Sequence, residues 1–483
     1  GIITGARPGR WSDKPMSALF RSKEEADKRN AAAAGRLETA TQRLNEAKAK
    51  AQAAEDLARA AGFKDRKLNE EARQLLGAWR NARSSHSSAR SAASTKPFNI
   101  IPNVIWLIIV TGLLFSIGLK FMGKPLGSHF IGFPIIVILA VIGYLIANQA
   151  NIRALGFSYV LWCILLGMII ANTVGTPEFL KKAAQTEYFI KTGLVLLGAS
   201  ILINLIILVG LPGIFVTWVV TPIVLIFTYW FGQNIIKIPS KELNITVSAD
   251  MCVSGVSAAI ATAAASKAKK EELTLAISMS MVFVVIMIFA LPAFANLVGM
   301  HPVMAGAWLG GTVDNTGSVV AAGELIGPEA MYVAATIKMI QNVMIGVIAF
   351  GVAAYWTLKV EPERAAAATG VTPMKLTFGT ALYEIWYRFP KFILGFIGAS
   401  IIFSGLAAAA GEDWAQAMIR NGVLAWANGL RDWFFAIAFV SIGLNMNFRD
   451  FKEPLKGGKP VILYVVGQGF NLVLTAFMAW LMF

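Results

Sequence analysis

From residue 100 onward the chain alternates long apolar runs with short polar breaks. A helix crossing the hydrocarbon core of a bilayer needs roughly 20 mostly apolar residues. Runs of that kind lie near 101–121, 129–147, 157–175, 189–209, 212–231, 274–299, 331–357, 385–408, 431–446 and 461–483. The pattern predicts an all-α, polytopic membrane protein of about ten spans.

The charges in the breaks orient these spans, because short loops rich in Lys and Arg stay on the cytoplasmic side. Basic loops carry Lys120/Lys124, Lys181/Lys182/Lys191, Lys237/Lys241, Lys267/Lys269/Lys270, Lys359 through Lys391, and Arg449/Lys452/Lys456/Lys459. Loops nearly free of them are 148–156, 209–212, 299–304, 322–330 and 409–430. Strict alternation fails at two segments, 242–266 with a basic loop on both sides and 303–324 with a non-basic loop on both sides. Each is reconciled as a re-entrant hairpin, with tips at Cys252–Ser257 and Gly311–Gly317, entering from opposite faces. The competing assignment makes both segments broken helices that cross. In either case irregular backbone at membrane depth must face protein or a wet cavity.

Residues 1–99 have different physics. This arm is rich in Ala, Arg, Lys and Glu, and its twenty Lys/Arg against eleven Asp/Glu supply +9 of the chain's +15 net charge. Its residues are good helix formers, and the break at Ala61-Gly62-Phe63 predicts a soluble helical hairpin. A partner-binding or homodimerising arm is the alternative. Nucleic acid is not an expected partner, since acids are mixed throughout and no aromatic platform accompanies the bases. Arg83–Thr95 reads as a polar linker. The charge alternation places the arm outside, and because the chain opens on Gly1, an upstream span would supply the needed crossing. The domain division expected is thus 1–99 for the arm and 100–483 for the membrane domain.

Composition narrows the chemistry. Two cysteines and three scattered histidines show no ligand spacing, so neither a metal site nor a cofactor is expected. No P-loop, nucleophile elbow or zinc-protease motif is present, which argues against an enzyme or an ATP-driven pump.

What remains is a set of polar residues at lipid depth, where ionisable groups are costly and mark pathways or coupling sites. Asp314 sits at the second tip, and Lys338 lies in the following span with Gln341 and Asn342 one turn on. An Asp314–Lys338 ion pair would lower the cost of burying either charge. Asp250 precedes the first tip, as a coupling group or a helix cap. The expected substrate-binding residues are Ser254, Gly255, Ser257, Gly311, Thr312, Asn315, Thr316, Lys338, Gln341 and Asn342, with Asp250 and Asp314 coupling H⁺ or Na⁺. Half-helices that begin in the membrane offer free N–H groups to an anion. An echo between "LLGASILIN" (196–204) and "SIGLNMNFR" (441–449) predicts an inverted repeat.

The stretches "ADMCVSGVSAAIATAAASKAKKEE" (249–272), "AWLGGTVDNTGSVVAAG" (307–323) and "ATIKMIQNVMI" (335–345), with "GLVLLGASI" and "SIGLNMNFRDF", resemble the YeiH-type family of bacterial inner-membrane proteins, labelled sulfate exporters. The resemblance covers about 150–483 and leaves the charged arm outside. It implies an inverted-repeat secondary transporter in the bacterial inner membrane that moves sulfate or a related small anion. Where the family pattern has a His–acid pair this chain has Asp314-Asn315, and where it has an Arg the chain has Gln341. Loss of that Arg removes a natural bidentate partner for an oxyanion, which weakens the case for sulfate itself. A cation/proton antiporter using the same Asp and Lys is the alternative, and a membrane sensor or scaffold is a third.

Overall fold

The computed structural model describes residues 2–62, 65–154, 157–200, 203–360, 386, 391–409, 422–451 and 458–483. Most of the basic stretch 359–391, most of the loop 409–430, and Lys452 and Lys456 lie outside the described residues. The chain divides into two compact units between Trp106 and Leu107.

The first unit contains α1 (Ile2–Gly5), α2 (Lys23–Ala60) and α3 (Arg66–Ala93). Two caps define the long helices: the Ser22 hydroxyl accepts from Glu25 N, and Asp65 Oδ1 accepts from Lys67 N and Leu68 N. Helix α2 ends at the predicted break, where Gly62 takes a positive φ. The two helices fold back on each other over a seam of Ala54, Ala58 and Ala72. Asn30 closes the far end, its side chain exchanging two hydrogen bonds with the backbone of Thr95 (2.7 and 2.9 Å). The expected linker from Arg83 is therefore helical as far as Ala93, because its Ala and Arg residues continue α3 against α2.

The second unit is a helical membrane domain. Its helices are α4 (Ile101–Phe121, which straddles the division), α5 (Leu126–Ala147), α6 (Ala150–Ala154), α7 (Tyr159–Thr173), α8 (Glu178–Ala183), α9 (Thr186–Ser200), α10 (Ile203–Ile214), α11 (Val220–Asn234), α12 (Lys241–Ala249), α13 (Val256–Ser266) and α14 (Lys270–Leu297). There follow α15 (Pro302–Thr312), α16 (Thr316–Ile326), α17 (Pro328–Tyr355), α18 (Phe392–Ala409), α19 (Leu424–Leu444) and α20 (Lys459–Met482). Among the described residues six helical stretches are long and apolar enough to cross a bilayer, joined by shorter apolar helices that include α7, α13, α16 and α18.

One predicted boundary moves. The loop expected at 209–212 does not form: helix runs from Ile203 to Asn234 through a π-turn at Phe215–Val219, and residues 201–202 between it and α9 lie outside the described residues. Pro212 sits inside this helix. It removes one N–H, but the π-turn shifts the hydrogen-bond register just after it, and the Thr217 hydroxyl donates to Gly213 O (2.8 Å).

The membrane domain packs as two bundles. In one, α9 lies between α19 and α18, and α7 lies between α19 and α5. Helices α7 and α19 cross with backbones nearly touching: a Cβ at Gly167 would fall 2.5 Å from Val440 O. Helix α9 runs antiparallel to α19, with Gly193 against Phe435 and Thr186 beside Asn445. The helices that begin the two echoing segments, α9 and α19, therefore run in opposite directions.

The other bundle holds α10–α11, α14, α17, α20 and both segments that broke the charge alternation. Residue pairing fixes the course of the second segment. Gly306 abuts Ala330 and Val333, and Gly310 abuts Ala334 and Ile337, so α15 runs parallel to α17. Asn342 then bonds to Thr316, and Gly323 abuts Met331, so α16 runs back antiparallel. The segment is a hairpin. In the first segment α12 and α13 pack on each other, and Val247, Met251, Ala258 and Ala261 share one core with Ile345, Ile348 and Val352 of α17. Glu242 at its mouth accepts from Trp356 Nε1 (3.1 Å), and Lys459 donates to Lys237 O (3.0 Å). The basic ends of α11, α12, α17 and α20 thus gather at one end of the bundle. The second hairpin enters from the opposite end.

Candidate functional site

A helix that breaks inside a membrane leaves orphan carbonyls at the end of its first arm and orphan amides at the start of its second. Here the two sets are treated differently. The carbonyls are closed from behind by side chains of α17 and α20. Lys338 Nζ donates to Val253 O and to Gln341 Oε1 (both 2.6 Å). Gln341 Nε2 reaches Cys252 O and Gly311 O (3.0 Å each) and Thr221 Oγ1 (3.2 Å), so one amide holds both tips. Gln468 Nε2 donates to Thr312 O (2.8 Å), and Trp308 Nε1 donates to Leu472 O (2.9 Å). A lysine at these carbonyl ends also complements their negative dipoles.

The amide ends face the other way. Asn315 caps α16, its Oδ1 accepting from Gly317 N (2.8 Å) and Ser318 N (3.3 Å). Helix α13 starts at Gly255 with no side-chain cap. Both starts open on a cavity of about 490 Å³ between the two bundles. Ser254–Ser257, Asn315, Thr316 and Ser318 line it from the tips, Ser278 and Ser280 from α14, Asn342 from α17, and Glu187, Lys191 and Asn445 from the other bundle.

Gly255 makes this arrangement possible. Its φ of 56° and ψ of −129° turn α13 sharply away from the π-turn before it, and residues with a Cβ avoid that region. Gly255→Ala is expected to cost about 1–3 kcal/mol in backbone strain and to weaken binding in the cavity. Thermal unfolding beside ligand titration would check this, and an unchanged melting curve would remove the strain argument.

Of the residues singled out from the sequence, Ser254, Gly255, Ser257, Asn315, Thr316 and Asn342 line the cavity. Gly311, Thr312, Lys338, Gln341, Asp250 and Asp314 are buried behind it. The expected Asp314–Lys338 ion pair does not form. Asp314 Oδ2 accepts from Tyr464 OH instead, and Lys338 is taken up by carbonyls. The tips turn toward each other so that Gly255 meets the Asp314 backbone, which leaves Tyr464 of α20 nearest the carboxylate. Asp314 remains within electrostatic reach of both Lys338 and Asp250. The buried Asp250 carboxylate lies beside Ser280 of α14, and Oδ1 of Asp314 has no hydrogen-bond partner among the described residues. Asp250 does not cap the start of α13, which follows Gly255; it stands at the end of α12.

Sequence reasoning missed Tyr464, Gln468, Glu187, Asn445 and the serines of α14. Ser278 and Ser280 alternate with methionine inside an apolar run, and that was a usable signal. The others gave none.

At the opposite end a second polar group joins the bundles. Arg431 of α19 holds Asp432 Oδ1 through Nε and Nη2 (2.9 and 2.6 Å), and its Nη1 donates to Tyr332 OH of α17 (3.2 Å) and Asn428 Oδ1 (3.0 Å).

Comparison with known proteins places these features in a family. Residues 131–464 match the family model described as conserved hypothetical protein 698. A UPF0324 membrane protein of Nitratidesulfovibrio vulgaris is 52% identical over 477 residues, 99% of this chain and 80% of the relative. One from Rhodopirellula baltica is 52% identical over 382 residues, 79% of this chain and 68% of the relative. The UPF0324 inner membrane protein YeiH of Escherichia coli is 26% identical over 197 residues, 39% of this chain and 56% of that protein. No solved structure matches. With its relatives named as membrane proteins and its own membrane-length helices, the chain is a multi-pass protein of the bacterial inner membrane. It belongs to the conserved hypothetical protein 698 family, the UPF0324 membrane proteins.

Proposed function

We propose that this protein is a secondary active transporter of a small anion, working by alternating access. One observation carries the reading: the carbonyl ends of both broken helices are neutralised from behind by Lys338, Gln341 and Gln468, while the uncapped start of α13 opens on a hydroxyl-lined cavity between two bundles. Free amides and a positive dipole end favour an anion there. Asp250 and Asp314, buried just behind the tips, are the coupling groups, exchanging H⁺ or Na⁺ as the bundles move.

The test uses purified protein in proteoliposomes. Uptake of a labelled anion should depend on a proton or sodium gradient, and Ser257→Cys, on the exposed face of the α13 start, should be labelled by a thiol reagent and protected by that anion. Cation exchange without anion flux would favour the antiporter instead. Absence of either flux would leave the sensor or scaffold reading.

In this scheme Arg431 and Tyr332 form the closed end of the pathway. Tyr332→Phe deletes the hydrogen bond between bundles and keeps the ring, and a net bond is worth about 1 kcal/mol. Reagent access from that end should rise by roughly 5-fold. Unchanged access would mean that other contacts hold the closure.

A further inference from the structure

We infer that the cavity is built for a singly charged organic acid carrying a hydroxyl or amino group, and not for an inorganic dianion. This rests on the transporter reading above and narrows its substrate class.

The first ground is charge. Among the described residues the titratable lining is one pair, Glu187 and Lys191, 3.2 Å apart. The other Glu187 oxygen accepts from Asn315 Nδ2 (2.9 Å), so the pair is held together and adds no net charge to the lining. What attraction remains comes from the α13 start, which presents about half a positive charge. The cost of stripping water from an ion rises with the square of its charge, so half a charge suits a monoanion and falls short for a dianion.

The second ground is Asn342. This residue lines the cavity and is only 2% exposed, its Nδ2 is engaged by Thr316 Oγ1 (3.1 Å), and its buried Oδ1 has no partner among the described residues. A buried acceptor left unmade costs about 1–3 kcal/mol, and a donor on the ligand would recover it. A fully deprotonated oxyanion has no such donor.

The third ground is the apolar part of the lining. Met281, Val284, Ile345, Phe392 and Ile442 line the cavity together with the serines. A bare inorganic ion gains nothing from that surface, whereas a short carbon skeleton does. At roughly 30 Å³ per water, the 490 Å³ cavity has room for a molecule much larger than one oxyanion.

The experiment measures affinity of the full chain in detergent for L-lactate, propionate, isethionate, ethanesulfonate and sulfate at constant ionic strength. Lactate should bind roughly 3- to 10-fold more tightly than propionate, and isethionate should exceed ethanesulfonate by a similar ratio, as one net hydrogen bond predicts. Sulfate should be weaker than both hydroxy acids. Asn342→Ala should bring the lactate-to-propionate ratio close to one while propionate still binds. The wild-type ranking stands without that variant should it fail to fold. Sulfate binding as tightly as lactate, or hydroxyl groups making no difference, overturns this inference and leaves anion transport intact. No binding by any of the five, together with no anion flux, overturns both.

Discussion

Gln341→Leu should destabilise the protein by roughly 3–5 kcal/mol and separate the two hairpin tips. The substitution keeps the bulk of the side chain and removes the bond accepted from Lys338 and two amide hydrogens shared among Thr221, Cys252 and Gly311. Two carbonyls and an ammonium are then left in a site where Gln341 itself is 1% exposed, and each buried group without a partner costs about 1–3 kcal/mol. Because this one amide spans both tips, the loss should also appear as lost ligand affinity even at temperatures where the variant is folded. Thr221→Val, which removes a single weak partner, is the control and should cost less than about 1 kcal/mol. A Gln341→Leu protein that melts with the wild type would show that the tips are held by packing alone.

The second large effect concerns Lys338. Lys338→Met is expected to cost about 2–4 kcal/mol by orphaning Val253 O and Gln341 Oε1. It should also reduce ligand affinity, but only as far as the tip loosens, because the ammonium lies behind the cavity wall. Since Lys338 and Gln341 share a bond, the double variant should be less destabilised than the sum of the singles. Thermal unfolding and ligand titration on the same samples separate the roles. A variant of unchanged stability that has lost all affinity would make Lys338 a ligand after all and sink the account of it as a fastener.

These expectations differ from those drawn from sequence, and the difference is physical. A lone lysine in an apolar run announces that something polar is buried beside it, but a ligand and a backbone carbonyl ask the same thing of an ammonium. The residues that decide between them are far away: Val253 is 85 positions from Lys338, and Tyr464, which takes Asp314, is 150 positions from it. Neither partner has a local pattern that could have been read. The break near Pro212 failed for a related reason. Proline predicts a helix end when only local bonding is counted, but here helix continues through Pro212, from Ile203 to Asn234.

The residue pattern by itself determined the polytopic helical class, the hairpin of the charged arm, the two segments that break the alternation and the membership in a membrane family. Each of these follows from spacing, charge or composition within a few dozen residues, where hydrophobic transfer and backbone propensity dominate. The tertiary structure alone decided which polar groups face the cavity and which brace it from behind, which acid meets which tyrosine, and how two bundles enclose a space. Those outcomes depend on carbonyls and amides exposed by a broken helix finding partners on distant helices, and only three-dimensional proximity selects among the donors available.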